Sequence, residues 1–143
     1  MSADCTTMKK IVALSLVLLF GSQLLAGQAA DSSFDLFWQA FKTAVSKHDV
    51  ETIARMSKFP LGMSYGIPSV RTKAQLTKRY KQVFNEQSDA AACFAKAKPQ
   101  ADADNPKHSS IGCPDAGGNE VVIYHFEKTR TGWKFTGLDN INE

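Results

Sequence analysis

Two hydrophobic periods run through this 143-residue chain, and the order in which they occur limits what it can fold into. Phe34, Phe37, Trp38, Phe41, Ala44 and Val45 recur three and four residues apart, so they share one face of a helix over about Ser33 to Lys47. Phe59, Leu61, Met63, Tyr65 and Ile67 instead alternate strictly with Pro60, Gly62, Ser64 and Gly66, the period of a half-buried strand. The two-residue period returns over Glu120 to Lys128. It sets Val122, Tyr124 and Phe126 on one face and Val121, Ile123, His125 and Glu127 on the other. A tight turn over Thr129 to Gly132 then brings Trp133 to Leu138 back as a hairpin partner. Helices first and hairpins last predict an α+β domain, with N-terminal helices packed on one face of a mainly antiparallel sheet.

Local signals punctuate this plan. Ser32 with Asp35 reads as the start of the first helix, and His48-Asp49 as the break to a second, shorter one that ends near Lys58. Asp49 reads as that helix's cap, because no nucleophile or third group stands beside the His-Asp pair. Pro60 and Pro68 place the first strand at a sheet edge, and Gly62 and Gly66 leave its second face bare enough for close backbone approach. Thr72 with Gln75 opens a third helix that buries Leu76, Tyr80, Val83 and Phe84. A short helical stretch follows over Ser88 to Ala97, then an exposed polar loop over Pro99 to Pro106 and a short strand over His108 to Cys113. The tail from Asp139 onward reads as polar and solvated.

The first thirty residues have the order of an export signal. Lys9 and Lys10 precede the apolar run Ile11 to Phe20, and small residues follow through Ala29 and Ala30. The run falls short of the roughly 18–20 apolar residues that a membrane span needs. Residues 1–30 are therefore expected to be a signal peptide cut near Ala29 or Ala30, with no membrane anchor after cleavage. Residues 31–143 are expected to be a single domain, in the periplasm or released outside the cell. Export fits the cysteines: Cys5 lies in the removed segment, which leaves Cys93 and Cys113 to pair as a disulfide. Two cysteines twenty residues apart lack the paired spacing of a zinc site, so no metal is expected.

Charge excludes another class. The whole chain carries 17 Lys and Arg against 14 Asp and Glu; without Lys9, Lys10 and Asp4 the balance is 15 to 13, a net +2. The basic residues between Lys73 and Lys81 are spread around a helix, so no nucleic-acid partner is expected.

Three stretches carry a resemblance. They are FDLFWQAFKTAVSKHDVETIARMSKFPL, the helix QLTKRYKQVF after an edge strand, and the closing hairpin VVIYHFEKTRTGWKFTGLDNI. In their order the chain resembles the nuclear-transport-factor-2-like superfamily, the cystatin-like α+β cone, and within it small exported bacterial domains. The resemblance implies a sheet curved against the helices around a conical pocket. Such folds serve isomerases, dehydratases, ligand-binding modules and dimerisation domains, so the likeness does not choose among them. Its isomerase-like members pair an aspartate base with a tyrosine and a second acid; the only nearby aspartate here is Asp139, read as part of the solvated tail. No catalytic residue and no cofactor is carried over.

The residues left as ligand or partner candidates are Tyr65, Arg71, Tyr124, His125 and Trp133. Arg71 could meet an anion near the start of the third helix. His125 alternates with apolar neighbours and could project into a pocket. Tyr65 and Trp133 also read as packing residues. The expected function is an exported, non-enzymatic binding or protein-interaction domain, monomeric or homodimeric, whose partner is an unknown protein or a small apolar ligand. The alternatives are an apolar-ligand carrier and an isomerase- or dehydratase-like enzyme that uses the cone pocket.

Overall fold

The computed structural model describes residues 32–63 and 67–140. The expected signal peptide therefore lies outside the described residues, as do Tyr65 and Gly66. Helix α1 (Ser32–Ser46) starts at Ser32 itself, which places that residue inside the first turn and not before it. Its apolar stripe is buried at Phe34, Trp38, Phe41, Ala44 and Val45. The helix closes with His48 at φ 55°, while Asp49 N–H donates to Ala44 O at 2.9 Å and His48 N–H to Val45 O at 3.1 Å. That pair of bonds satisfies carbonyls that a helix end leaves without partners.

Asp49 then caps α2 (Val50–Arg55), its carboxylate accepting from Thr52 N–H at 3.0 Å. That bond holds the Asp49 carboxyl below the usual carboxylate range. Helix α2 stops at Arg55, earlier than Lys58, because the chain joins the sheet at once: Phe135 N–H donates to Met56 O at 2.8 Å. Strand β1 (Ser57–Met63) accordingly starts before Phe59 and ends before Ile67. Ile67 and Val70 remain buried beyond it, and Leu61 N–H bonds to Val70 O at 2.8 Å.

Helix α3 (Lys73–Lys81) is capped by Thr72, which accepts from Gln75 N–H, while Gln75 Oε1 accepts from Arg71 N–H. It runs on into a π-helical turn (Gln82–Glu86), and together they bury Leu76, Tyr80, Val83 and Phe84 as the spacing predicts. The Tyr80 hydroxyl donates to Val45 O at 2.9 Å and ties α3 to the end of α1. Helix α4 (Ala90–Lys96) is capped by Asp89, whose carboxylate accepts from Ala92 N–H.

The sheet has five strands in the order β1-β5-β4-β3-β2. Beyond β1, they are β2 (Gln100–Ala101), β3 (His108–Pro114), β4 (Val121–Thr129) and β5 (Gly132–Asn140). Among the described residues only β1 and β5 pair parallel, and β1 holds the expected edge. Two expectations are corrected here. The polar stretch after Pro99 is not all loop, because Gln100 and Ala101 pair with Ser110 and Ser109. The tail from Asp139 is not all solvated either: β5 runs through Asn140, which is buried with its Nδ2 donating to Glu120 Oε2 at 2.6 Å.

The helices cover the face that carries Val122, Tyr124 and Phe126. Phe41 stands at its centre, with the rings of Phe37, Phe84, Phe94, Phe126 and Phe135 between 5.3 and 6.3 Å away. The resemblance implies a conical pocket between helices and sheet; here aromatic rings pack around Phe41, and a cleft of about 150 Å³ remains beside Phe34, Trp133, Pro99 and Ala101. Cys93 on α4 and Cys113 on β3 form the expected disulfide, with their Cα atoms 5.8 Å apart.

Candidate functional site

The face of the sheet turned away from the helices has a different character. On β4, the residues between the buried ones are Ile123, His125 and Glu127, all half-buried. Antiparallel pairing sets Ser110 of β3 opposite His125 and His108 opposite Glu127, so the two histidines are diagonal neighbours on one face. His108 Nε2 lies 3.1 Å from His125 Nδ1, a hydrogen bond in which either ring can be the donor.

A carboxylate stands at each outer end of this pair. Asp102 Oδ2 is 3.4 Å from His108 Nδ1, and Asp139 Oδ2 is 3.9 Å from His125 Nε2. The loop and strand that bring them there have local causes. Pairing of β2 with β3 carries the chain past His108, and Asp102 N–H donates to His108 O at 3.2 Å. Asp102 Oδ1 meanwhile accepts from Asp104 N–H, which turns the loop. Asp139 faces the pair because β5 continues to Asn140 and sets Asp139 opposite Ile123.

Beside the histidines the sheet is open. His125 pairs with Gly137, and Gly137 pairs in turn with Gly62 of β1, so backbone alone lines this part of the face. Thr136 is the extra residue of a β-bulge, since His125 pairs with Gly137 but Phe126 pairs with Phe135. The Thr136 hydroxyl donates to His125 O at 3.1 Å. The result is a cleft of about 400 Å³ lined by Gly62, Met63, His108, His125, Thr136, Gly137, Leu138 and Asp139.

Burial pushes the His125 imidazole below the ordinary histidine range and the facing His108 adds to that, while Asp139 pulls it back up. His125 is therefore expected to titrate below pH 6.5 by imidazole NMR, and Asp139→Asn should lower its midpoint further. The folded state then binds fewer protons than the unfolded chain. Stability carried by His125 is full above pH 6.5 and is lost as the pH falls through its folded pKa. An unchanged or raised midpoint in Asp139→Asn would contradict this reading of the field.

Of the four sequence candidates among the described residues, only His125 stands in this cleft. Tyr124 is fully buried, with its hydroxyl donating to Val83 O at 2.9 Å, so it belongs to the core. Trp133 is buried against Phe34 at 4.7 Å, and its indole N–H donates to Ser33 Oγ. Arg71 is exposed at the start of α3. Tyr65 lies outside the described residues. His108, Asp102 and Asp139 were not among the candidates. The signal that could have found His108 is strand parity, since with β3 antiparallel to β4 it shares the outward phase of His125; Asp139 has the parity of the buried Trp133 and Phe135 and reaches the cleft only through the bulge at Thr136.

A second cleft, of about 340 Å³, lies near Ser57 and the β4–β5 turn and includes Lys58, Arg130 and Lys134. Its cations are partly committed: Lys58 pairs with Glu127 at 2.8 Å and Lys134 donates to Arg55 O at 2.7 Å. Among the described residues, no helix is long and apolar enough to cross a membrane, and no group of three or more His, Cys, Asp and Glu side chains could hold a metal ion.

Comparison with solved structures finds chains of similar fold. A domain of unknown function with a cystatin-like fold from Nostoc punctiforme is 12% identical, with 78% of this chain and 76% of that one covered and a TM-score of 0.47. A candidate dehydratase of the NTF2-like family from Streptomyces avermitilis is 15% identical, with 75% and 91% covered and a TM-score of 0.41. An NTF2-like protein with a cystatin-like fold from Novosphingobium aromaticivorans is 12% identical, with 76% and 79% covered and a TM-score of 0.40. The likeness extends to the fold alone. No protein-family model matches the sequence, and no curated protein matches it.

Proposed function

We propose that this protein is an exported, non-enzymatic binding domain that meets its ligand or partner on the open face of its sheet, around His108 and His125. One observation carries the reading. The covered face is packed with its own aromatic rings, whereas the open face combines a cleft with half-buried imidazoles and two carboxylates. A carrier for apolar ligands needs interior space, and the cleft of about 150 Å³ beside Phe34 and Trp133 is smaller than the roughly 300–1,000 Å³ of an ordinary ligand pocket. The described cleft lining holds no cysteine or serine, and its one threonine donates to a backbone carbonyl, so no free hydroxyl or thiol stands beside the imidazoles. Export is supported by the signal-type N-terminus and by the disulfide.

Two measurements test this. Intact mass of the full chain expressed in a two-membraned bacterium and recovered from its periplasm should show loss of about thirty residues; an uncut chain left in the cytosol would refute export. Backbone amide NMR with a library of small polar and apolar fragments should show perturbations grouped at His125, Gly137 and Asp139. Perturbations grouped instead around Trp38 and Phe41 would refute the open-face site and favour a carrier.

A further inference from the structure

We propose that His108 and His125 form a two-imidazole site for one borderline divalent transition cation of the Zn2+ class, with Asp102 and Asp139 as its outer carboxylates. The inference rests on the open-face reading and names the ligand class. Its first support is the spacing of the inner nitrogens. Two imidazole nitrogens bound to one zinc ion, each at roughly 2.0–2.1 Å, sit roughly 2.9–3.4 Å apart for bond angles from square to tetrahedral. His108 Nε2 and His125 Nδ1 are 3.1 Å apart, so a cation can replace the bridging proton with little strand movement.

The second support is the order of groups along the line. A histidine that binds a metal through one nitrogen characteristically turns its other N–H toward a carboxylate or carbonyl, which fixes the tautomer and raises the basicity of the ligand. Here Asp102 stands at the outer nitrogen of His108 and Asp139 at the outer nitrogen of His125. Proton accounting follows. Two neutral rings carry two N–H protons, and one of these bridges the inner nitrogens when the cation is absent. On binding, that proton leaves the inner nitrogen and an outer nitrogen of the same ring takes one up. Both rings then turn an N–H toward a carboxylate, at 3.4 Å for His108 and at 3.9 Å for His125, where Asp139 has to close in to accept, and a lone pair toward the cation, with no net change in protonation.

The third support is the surroundings. The carboxylates bring two negative charges to the ends of a half-buried pair, which favours a cation between them. The protein supplies two ligands, so the remaining positions fall to water or to a ligand in the cleft, which has room for both. Imidazole donors select the zinc–copper part of the series and not Mg2+ or Ca2+, which prefer oxygen.

The test titrates the protein with zinc chloride alone and follows the imidazole 15N resonances. The expected result is saturable one-to-one binding that moves His108 Nε2 and His125 Nδ1 together, with no such change from magnesium chloride. His108→Gln and His125→Gln should each remove saturation, and Asp102→Asn and Asp139→Asn should each weaken binding by roughly tenfold. Because the rings are observed directly in the unaltered protein, a poorly folding variant does not decide the matter. Zinc that leaves both rings unmoved overturns the proposal, as does binding that survives in both histidine variants. If zinc fails while fragments still gather at His125, the cation is refuted and the open-face site stands. If zinc binds while fragments gather around Phe41, the cation site is supported and the open-face reading of function falls.

Discussion

Gly137→Ala is expected to detach β1 from β5 and to cost about 3 kcal/mol or more of folding stability. Gly137 has φ +147°, which side chains rarely adopt, and a Cβ there would lie 2.1 Å from Gly62 O and within 2.8 Å of two further Gly62 backbone atoms. The obstacle is backbone held in the sheet, so it cannot rotate away as a side chain would. Gly132→Ala supplies the control. It also has positive φ, at +104°, but a Cβ there meets nothing within 4 Å, so it should cost only about 1 kcal/mol of conformational strain. Urea unfolding of both variants separates the close approach from the dihedral. Amide exchange should also show Gly62 and Met63 losing protection in Gly137→Ala. Equal costs for the two substitutions would mean that β1 yields easily and that the glycine pair does not hold it.

That contact marks where the sequence was readable and where it was not. Gly62 announced a bare face and a close backbone approach, because strict alternation around it fixed which way its absent side chain pointed. Its partner was not announced, since the phase of Trp133 to Leu138 gives no register against a parallel strand some seventy residues earlier. The helices were legible from Phe34, Trp38 and Phe41 and from the caps at Asp49 and Thr72, where chemistry and period agree within a few residues. The candidate site was legible only at His125. His108 and Asp139 are polar residues at strand ends, where composition alone looks like loop; strand pairing gives them a common face. Asp102 depends on a two-residue strand too short to show any period.

Loss of the disulfide should have the second large effect. Cys93 and Cys113 are 20 residues apart and join α4 to β3 across the polar loop and β2. Closing a loop of that length removes unfolded-state freedom worth ~3 kcal/mol on the chain-entropy estimate. For a domain of this size that corresponds to a fall of roughly 10–15 °C in Tm for the Cys93→Ala, Cys113→Ala double variant. The same fall should follow reduction of the unaltered protein. If scanning calorimetry gives the same Tm with and without a thiol reductant, the bridge contributes nothing and packing of Cys113 alone holds that corner.

The position of β5 has a consequence for assembly. Among the described strands this one comes last in sequence yet lies between β1 and β4. A ribosome or a translocation pore that releases the chain from its N-terminus therefore delivers α1, α2 and β1 well before the strand on which β1 docks. Until β5 emerges, the aromatic stripe of α1 lacks Phe135, and β1 has no neighbour in the sheet. High contact order of this kind slows folding, because a long loop must close before its contacts contribute. The N-terminal helices and β1 therefore wait for β5 before the sheet can close over the aromatic core.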